Sequence, residues 1–250
     1  MIDVVEVERR YGDVHALRGV TLAVRPGEVF GVLGHNGAGK STLAKILTGL
    51  IRPDAGIARV GGVDVAAEPL EVRRRLGYLP EESVLYDELS GREHLEHFAA
   101  LRGVDPQTAR ARIERLLEFL DLAAAADRAV GGYSRGMRRK TAIALALVGD
   151  PEILLFDEPT GGLDPEGSRR FADLLAELRR RGKTVVIQSH ILGLVEKRCD
   201  RIAVLEAGAV VGCGTLAELR AQAELPEADL EDVFLALTGR RARDATGLLD

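Results

Sequence analysis

The sequence predicts an α/β fold: a mostly parallel sheet, preceded by an N-terminal antiparallel β subdomain and interrupted by an inserted α-helical subdomain. Three observations carry this expectation. Short apolar runs of buried-strand type recur at residues 29–33, 153–156, 185–188 and 202–205. Strand-like runs alternate with helical stretches such as 168–181, the pattern of parallel strands covered on both faces. From about Pro80 to Pro151 the composition shifts to Leu, Ala, Arg and Glu at helical spacing, as in Ile113, Leu116, Leu117 and Leu120, which marks an insertion into the core.

Taken in order, residues 2–28 read as β, with Val4, Val5 and Val7, a turn near Gly12 and Asp13, and a second run from Leu22 to Val24 that stops at Pro26 and Gly27. Residues 29–33 then form a strand that enters a Gly-rich loop. The loop enters a helix with Leu43, Ile46, Leu47 and Leu50 on one face. Pro53, Gly56, Gly61 and Gly62 mark turns. After Gly208 a short β turn and two short helices are expected. The plan is one domain over 1–238, with a helical subdomain over approximately 80–150, a C-terminal extension over approximately 208–238 and a loose tail at 239–250.

The 250 residues are enough to bury a sizeable core, and 46% hydrophobic with 29% charged residues is ordinary for a globular protein. A formal net charge of -5 argues against nucleic acid as a partner. The basic runs at 73–75, 138–140 and 179–181 read as solvated helix faces. Cys199 and Cys213 form neither a CxxC pair nor a zinc set, which fits a reducing cytoplasmic compartment. The charged N-terminus is unlike a signal peptide, and no stretch approaches the roughly 18 apolar residues of a membrane span. A soluble chain is expected, with any membrane role running through a partner.

Gly34-His35-Asn36-Gly37-Ala38-Gly39-Lys40-Ser41 matches the phosphate-loop pattern G-x-x-x-x-G-K-[ST], followed by Thr42. Glycines let backbone N–H groups turn inward around phosphate oxygens, and a helix N-terminus adds positive potential. Lys40 suits the β and γ phosphates, and the Ser41 hydroxyl suits Mg²⁺. Roughly 0.004 chance matches are expected in a chain of this composition, so a P-loop NTPase core with a nucleoside triphosphate site is the reading.

Asp157 and Glu158 close an apolar strand, at the edge where open α/β sheets bind ligands. An Asp-Glu pair after a strand is by itself more often a surface turn. Beside a phosphate loop, Asp157 suits a second Mg²⁺ contact and Glu158 suits the general base, or the orienting acceptor, for an attacking water. His190 closes the strand at 185–188. Alone it would more often be structural; here it is expected to reach the γ-phosphate and help fix the geometry of water and Glu158.

These pieces, in this order, resemble the nucleotide-binding subunits of ABC (ATP-binding cassette) transporters, and the likeness covers nearly the whole chain. Tyr133-Ser134-Arg135-Gly136-Met137 looks like the family signature Leu-Ser-Gly-Gly-Gln, and Ser134 is also a good helix N-cap. The resemblance implies that Ser134 and Gly136 face the γ-phosphate of ATP held by a second subunit, that Tyr11 stacks on adenine, and that Gly162-Leu163-Asp164 touches the opposite subunit. It implies ATP and Mg²⁺ as cofactors, a membrane permease on a separate chain, and a peripheral place on the cytoplasmic face of the cell membrane. The second ATP-binding subunit is expected to be another copy, forming a homodimer, with a close relative as the alternative; the competing function is a soluble ABC-type ATPase acting on nucleic acid or ribosomes. Two departures stand out. Glu81 occupies the position of the usual Gln, where it becomes a candidate Mg²⁺ ligand, and Arg135 and Met137 replace Gly and Gln of the signature. Both departures, with Leu89-Ser90-Gly91-Arg92-Glu93 and Leu230-Glu231-Asp232-Val233-Phe234, resemble a branch of bacterial and archaeal exporters. Residues 81–89, with Val84, Leu85, Tyr86 and Leu89, are expected beside the groove that receives the permease; packing of that loop onto the helical region is the alternative.

Overall fold

Alternating apolar residues at the start of the chain build the first layer. In β1 (Ile2–Tyr11) the side chains of Ile2, Val4 and Val7 are buried while Asp3 and Val5 face out. β1 pairs antiparallel with β2 (Val14–Val24) and with β4 (Ala55–Val60), and β5 (Val63–Asp64) completes a four-stranded sheet in the order β2-β1-β4-β5. Gly56, expected in a turn, lies inside β4. It has a φ of 79°, opposite the bulge of β1 where Glu6 has a φ of 50°. A Cβ at Gly56 would meet the Glu6 carbonyl at 2.2 Å, so the bulge requires glycine there. The computed structural model describes residues 1–239. Of the expected loose tail, residues 240–250 lie outside the described residues.

The second sheet has six strands. β3 (Val29–Leu33), β6 (Leu76–Leu79), β7 (Ile153–Asp157), β8 (Thr184–Ser189) and β9 (Arg201–Glu206) run parallel, and β10 (Ala209–Gly214) folds back antiparallel on β9. The order is β10-β9-β3-β8-β7-β6. β3, β7 and β8 are buried along their whole length, and they are apolar apart from Asp157 at the end of β7 and Thr184, Gln188 and Ser189 in β8.

Helices cover both faces. α1 (Lys40–Leu47) packs Leu43, Ala44 and Leu47 between the first sheet and the Phe30, Val32 and Leu155 face of the second. Leu50, expected on that apolar face, lies beyond the end of α1 and is exposed, because the helix stops at the Thr48 cap. α2 (Pro69–Arg75) leads into β6; the sequence offers only the helix face at 73–75 for α2 and no mark of β6. α3 (Gly91–Leu101), α4 (Pro106–Phe119) and α5 (Arg135–Leu147) share a core with α6 (Pro165–Arg180) and the opposite face of the sheet, through Ile113, Leu117, Ile143, Phe156, Phe171 and Ile187. α7 (Leu192–Arg198), also unforeseen, packs with α8 (Leu216–Gln222) and α9 (Leu230–Leu237) over Leu33, Ile202 and Val204.

The charged runs at 73–75 and 179–181 are solvated and paired with Glu71 and Glu177, among other acids. The run at 138–140 is not a simple solvated face. Arg138 and Lys140 pair with Asp87 and Asp121, but Arg139 is buried, its guanidinium turned toward the backbone at the ends of β6 and β7. Both cysteines are free thiols. Among the described residues no helix is long and apolar enough to cross a membrane.

Candidate active site

The strand order brings the candidate groups together. β8 lies between β3 and β7, so the loop after β3 and the carboxylates after β7 flank the carboxyl end of β8. The phosphate loop leaves β3 at Gly34 and enters α1 at Lys40. Gly39, the residue before α1, has a φ of 109°, and a Cβ there would meet the Ala16 carbonyl of β2 at 2.7 Å. The loop is thus pressed against the antiparallel sheet. The Lys40 side chain is buried and donates from Nζ to the Gly34 and His35 carbonyls, at 2.6 and 3.2 Å.

A cleft of about 720 Å³ opens over this loop. Its floor is formed by Asn36, Gly37, Gly39, Lys40, Ser41 and Thr42, with Gly34 and Ala38 buried beneath. Tyr11, Val14 and His15 of the first sheet wall one side, and Glu81, Asp157 and Glu158 wall the other. The Tyr11 ring is partly exposed, with the Arg9 guanidinium 5.0 Å over its centroid, so a basic group backs the aromatic surface.

Burial, reinforced by the charges of Glu81 and Glu158, pushes the Asp157 carboxyl up to about 6, with Lys40 and Arg139 pulling it the other way. Two carboxylates beside a buried third amount to an excess of negative charge that a cation relieves. Among the described residues no three His, Cys, Asp or Glu side chains converge as a ready-made metal cage. Asp157, Glu81 and the Ser41 hydroxyl instead fit Mg²⁺, which binds through one or two carboxylates and completes its shell with substrate phosphates and water.

Glu158 is held more tightly than the sequence implies. Its backbone is left-handed, φ 47°, and its N–H donates to the Gln188 carbonyl at 2.8 Å. Its carboxylate accepts from Ser189 Oγ at 3.2 Å, from the His190 backbone N–H at 3.0 Å and from His190 Nδ1 at 2.7 Å. The last bond requires the imidazole proton on Nδ1, leaving Nε2 as the other ring position. His190 itself does not line the main cleft. It borders a small cavity of about 130 Å³ shared with Gly34, His35, Glu231 and Phe234.

The signature segment is elsewhere. Ser134 caps α5, its Oγ accepting from the Met137 N–H at 3.2 Å. Asp164 caps α6, accepting from the Gly167 N–H at 2.7 Å. An added Cβ at Gly136 would lie 3.2 Å from the Gly162 carbonyl, so the two loops sit against each other. Ser134, Gly136 and Asp164 are not among the residues lining the phosphate cleft. Sequence reasoning missed Arg139, whose buried guanidinium donates to backbone carbonyls next to Glu81 and at Asp157 and Glu158. The available signal was an arginine inside an otherwise inward-facing helical stripe.

Comparison with known proteins places the chain among ATP-binding cassettes. Residues 17–161 match the ABC transporter family. The chain is 40% identical over 241 residues to the ABC transporter ATP-binding protein NatA of Bacillus subtilis (strain 168), spanning 94% of this chain and 97% of that protein. It is 46% identical over 215 residues to the daunorubicin resistance ATP-binding protein DrrA3 of Streptomyces coeruleorubidus, spanning 86% and 68%. Among solved structures it is similar to an ATP-binding subunit of an ABC transporter, with a TM-score of 0.91, 33% identity and 95% and 99% coverage. It is also similar to a dimeric ATP-binding cassette in a post-hydrolysis state bound to ADP and Pi, with a TM-score of 0.80, 27% identity and 86% and 99% coverage.

Proposed function

The chain belongs to the ABC transporter family and hydrolyses ATP, and on that premise we propose that it drives an exporter as a homodimer closing around two ATP molecules. The observation that carries this reading is the separation of two half-sites. The phosphate cleft holds Lys40, Ser41, Asp157 and Glu158, whereas Ser134 and Gly136 present a capped helix start away from it. A helix N-terminus suits an anion, so a second copy docked head to tail brings Ser134 and Gly136 to the γ-phosphate in the cleft.

Within the closed dimer each group has a task. Backbone N–H groups of residues 37–42 and Lys40 hold the β and γ phosphates, and Tyr11 stacks on adenine. Ser41, Asp157 and Glu81 would hold Mg²⁺, which would neutralise charge on the phosphate oxygens when bound. Glu158 orients a water and accepts its proton as the water oxygen bonds to phosphorus. The bond from phosphorus to the β–γ bridging oxygen breaks, giving ADP and phosphate. His190, through Nδ1, keeps the Glu158 carboxylate aimed. Loss of the γ-phosphate removes the bridge between the copies and lets them part, so ATP biases a two-state switch. Gly162 and Asp164 sit where the two copies meet.

Export rather than import is supported by the likeness to a daunorubicin resistance protein and to Nod factor export proteins, 41–42% identical over 213 residues. A permease on a separate chain is the proposed partner, at the cytoplasmic face of the cell membrane. Val84 and Tyr86 are exposed beside the cleft while Leu85 anchors their loop in the core, which presents apolar surface for that contact. The loop is stiffened by His94, whose Nε2 accepts the Tyr86 N–H at 3.0 Å while Nδ1 lies 2.8 Å from the Ser90 carbonyl. The experiment is a pull-down from native membranes with Glu158→Gln in ATP and Mg²⁺. Co-purification of a multi-span membrane protein is expected; recovery of ribosomes or DNA instead would move the ATPase to a different machine.

A further inference from the structure

Arg139 lies in the second turn of α5, beyond the Ser134 cap, and is only 6% exposed. Among the described residues it forms no ion pair. Its guanidinium donates only to backbone: Nη1 to the carbonyls of Pro80 at 2.7 Å and Glu81 at 2.9 Å, Nη2 to those of Asp157 and Glu158, and Nε to that of Pro159 at 3.3 Å. A guanidinium has five N–H donors in a fixed planar fork, and these bonds use all of them. Three segments distant in sequence therefore meet on one side chain: the loop bearing Glu81, the turn bearing Asp157 and Glu158, and the helix that begins at Ser134.

We propose that Arg139 is a positioning residue for ATP hydrolysis, fixing the Glu81 loop and the Glu158 turn in register and tying both to the helix whose N-terminus carries Ser134. Glu158 adopts a left-handed backbone that a non-glycine residue keeps only when its surroundings hold it. The Arg139 Nη2 bonds to the Glu158 carbonyl and the one before it supply that hold from beneath, while Ser189 and His190 hold the carboxylate from above. Because the fork is rigid, a shift of α5 moves both loops together. ATP-driven approach of a second copy at Ser134 thereby reaches the carboxylates through one side chain. Lysine, with three donors at a single point, cannot span the two loops.

The role rests on the assignment of Glu158 as the base, so the test includes that residue. ATPase kinetics, nucleotide affinity and thermal unfolding are measured on the parent, Glu158→Gln, Arg139→Lys and Arg139→Gln. The expected result is a KM for ATP within about twofold of the parent for both Arg139 variants, since the phosphate loop is untouched. The kcat of each is expected to fall about ten- to a hundredfold, the scale set by small misplacements of catalytic groups, with a single cooperative unfolding transition retained. A parent-like kcat in a folded Arg139→Lys overturns the proposal. So does loss of cooperative unfolding in both Arg139 variants, which makes the residue a structural support only. Full turnover by Glu158→Gln overturns the base assignment instead, and the two failures are told apart.

Discussion

At the scale of single residues, Asp157 shows what the site is built to receive. Its folded pKa of about 6 stands above the 3.8 of an unstructured chain, so the fold disfavours the ionised form. The penalty is fully present above about pH 6 and disappears below about pH 4, which means this group costs stability at neutral pH and less as the pH falls. Asp157→Asn, measured without nucleotide or Mg²⁺, is therefore expected to be more stable than the parent by about 1–3 kcal/mol at pH 7.5, with the gain shrinking toward zero near pH 4. Chemical denaturation across that range checks it, and an advantage that grows at low pH contradicts it. The same scale shows what the sequence exposes and what it hides. Lys40, Ser41 and Glu158 are legible because their roles depend on residue type at fixed spacing next to an apolar strand. Arg139 is not, because its partners are backbone carbonyls, which every residue has, and only the fold brings them to it. The Glu158 backbone N–H likewise meets the Gln188 carbonyl across the sheet, a contact without a local sequence mark.

At the scale of elements, strength of pattern decided what could be read. α6 carries Phe171, Leu174, Leu175 and Leu178 at helical spacing, and apolar runs at 29–33, 153–156 and 185–187 mark β3, β7 and β8, so all four follow from sequence. β6 is a four-residue Leu-Gly-Tyr-Leu strand, and α2 and α7 are seven-residue helices. Each covers about two repeats of its own period, too few for a pattern to stand out, and tertiary packing supplies what the local signal lacks. α6 is docked on the sheet through Phe171, whose ring meets Phe156 edge-on at 5.3 Å between centroids. Since Phe156 directly precedes Asp157, this contact supports the wall of the cleft that carries Asp157. Phe171→Ala is expected to cost about 3–5 kcal/mol of stability, read from the midpoint of urea unfolding. A loss under about 1 kcal/mol would mean that α6 repacks freely and does not anchor β7.

At the scale of the whole molecule, the chain carries a phosphate cleft on one side of its sheet and a capped signature helix elsewhere, and neither half alone surrounds a γ-phosphate. The departures at Glu81, Arg135 and Met137 leave this division intact. Glu81 joins Asp157 at the cleft, and Arg135 lies against Gly162, beside the loop that leads to Asp164. ATP between two copies would join the halves, and hydrolysis would release them, which converts chemistry at Glu158 into motion of entire subunits. The most direct measurement is ATP turnover by Glu158→Gln alongside its mass in solution, with Mg²⁺ and either ATP or ADP. The account predicts retained ATP binding, turnover reduced to a trace, and a dimer that persists in ATP and falls to monomer in ADP. Turnover at the parent rate, or a variant that stays monomeric with ATP bound, would contradict it.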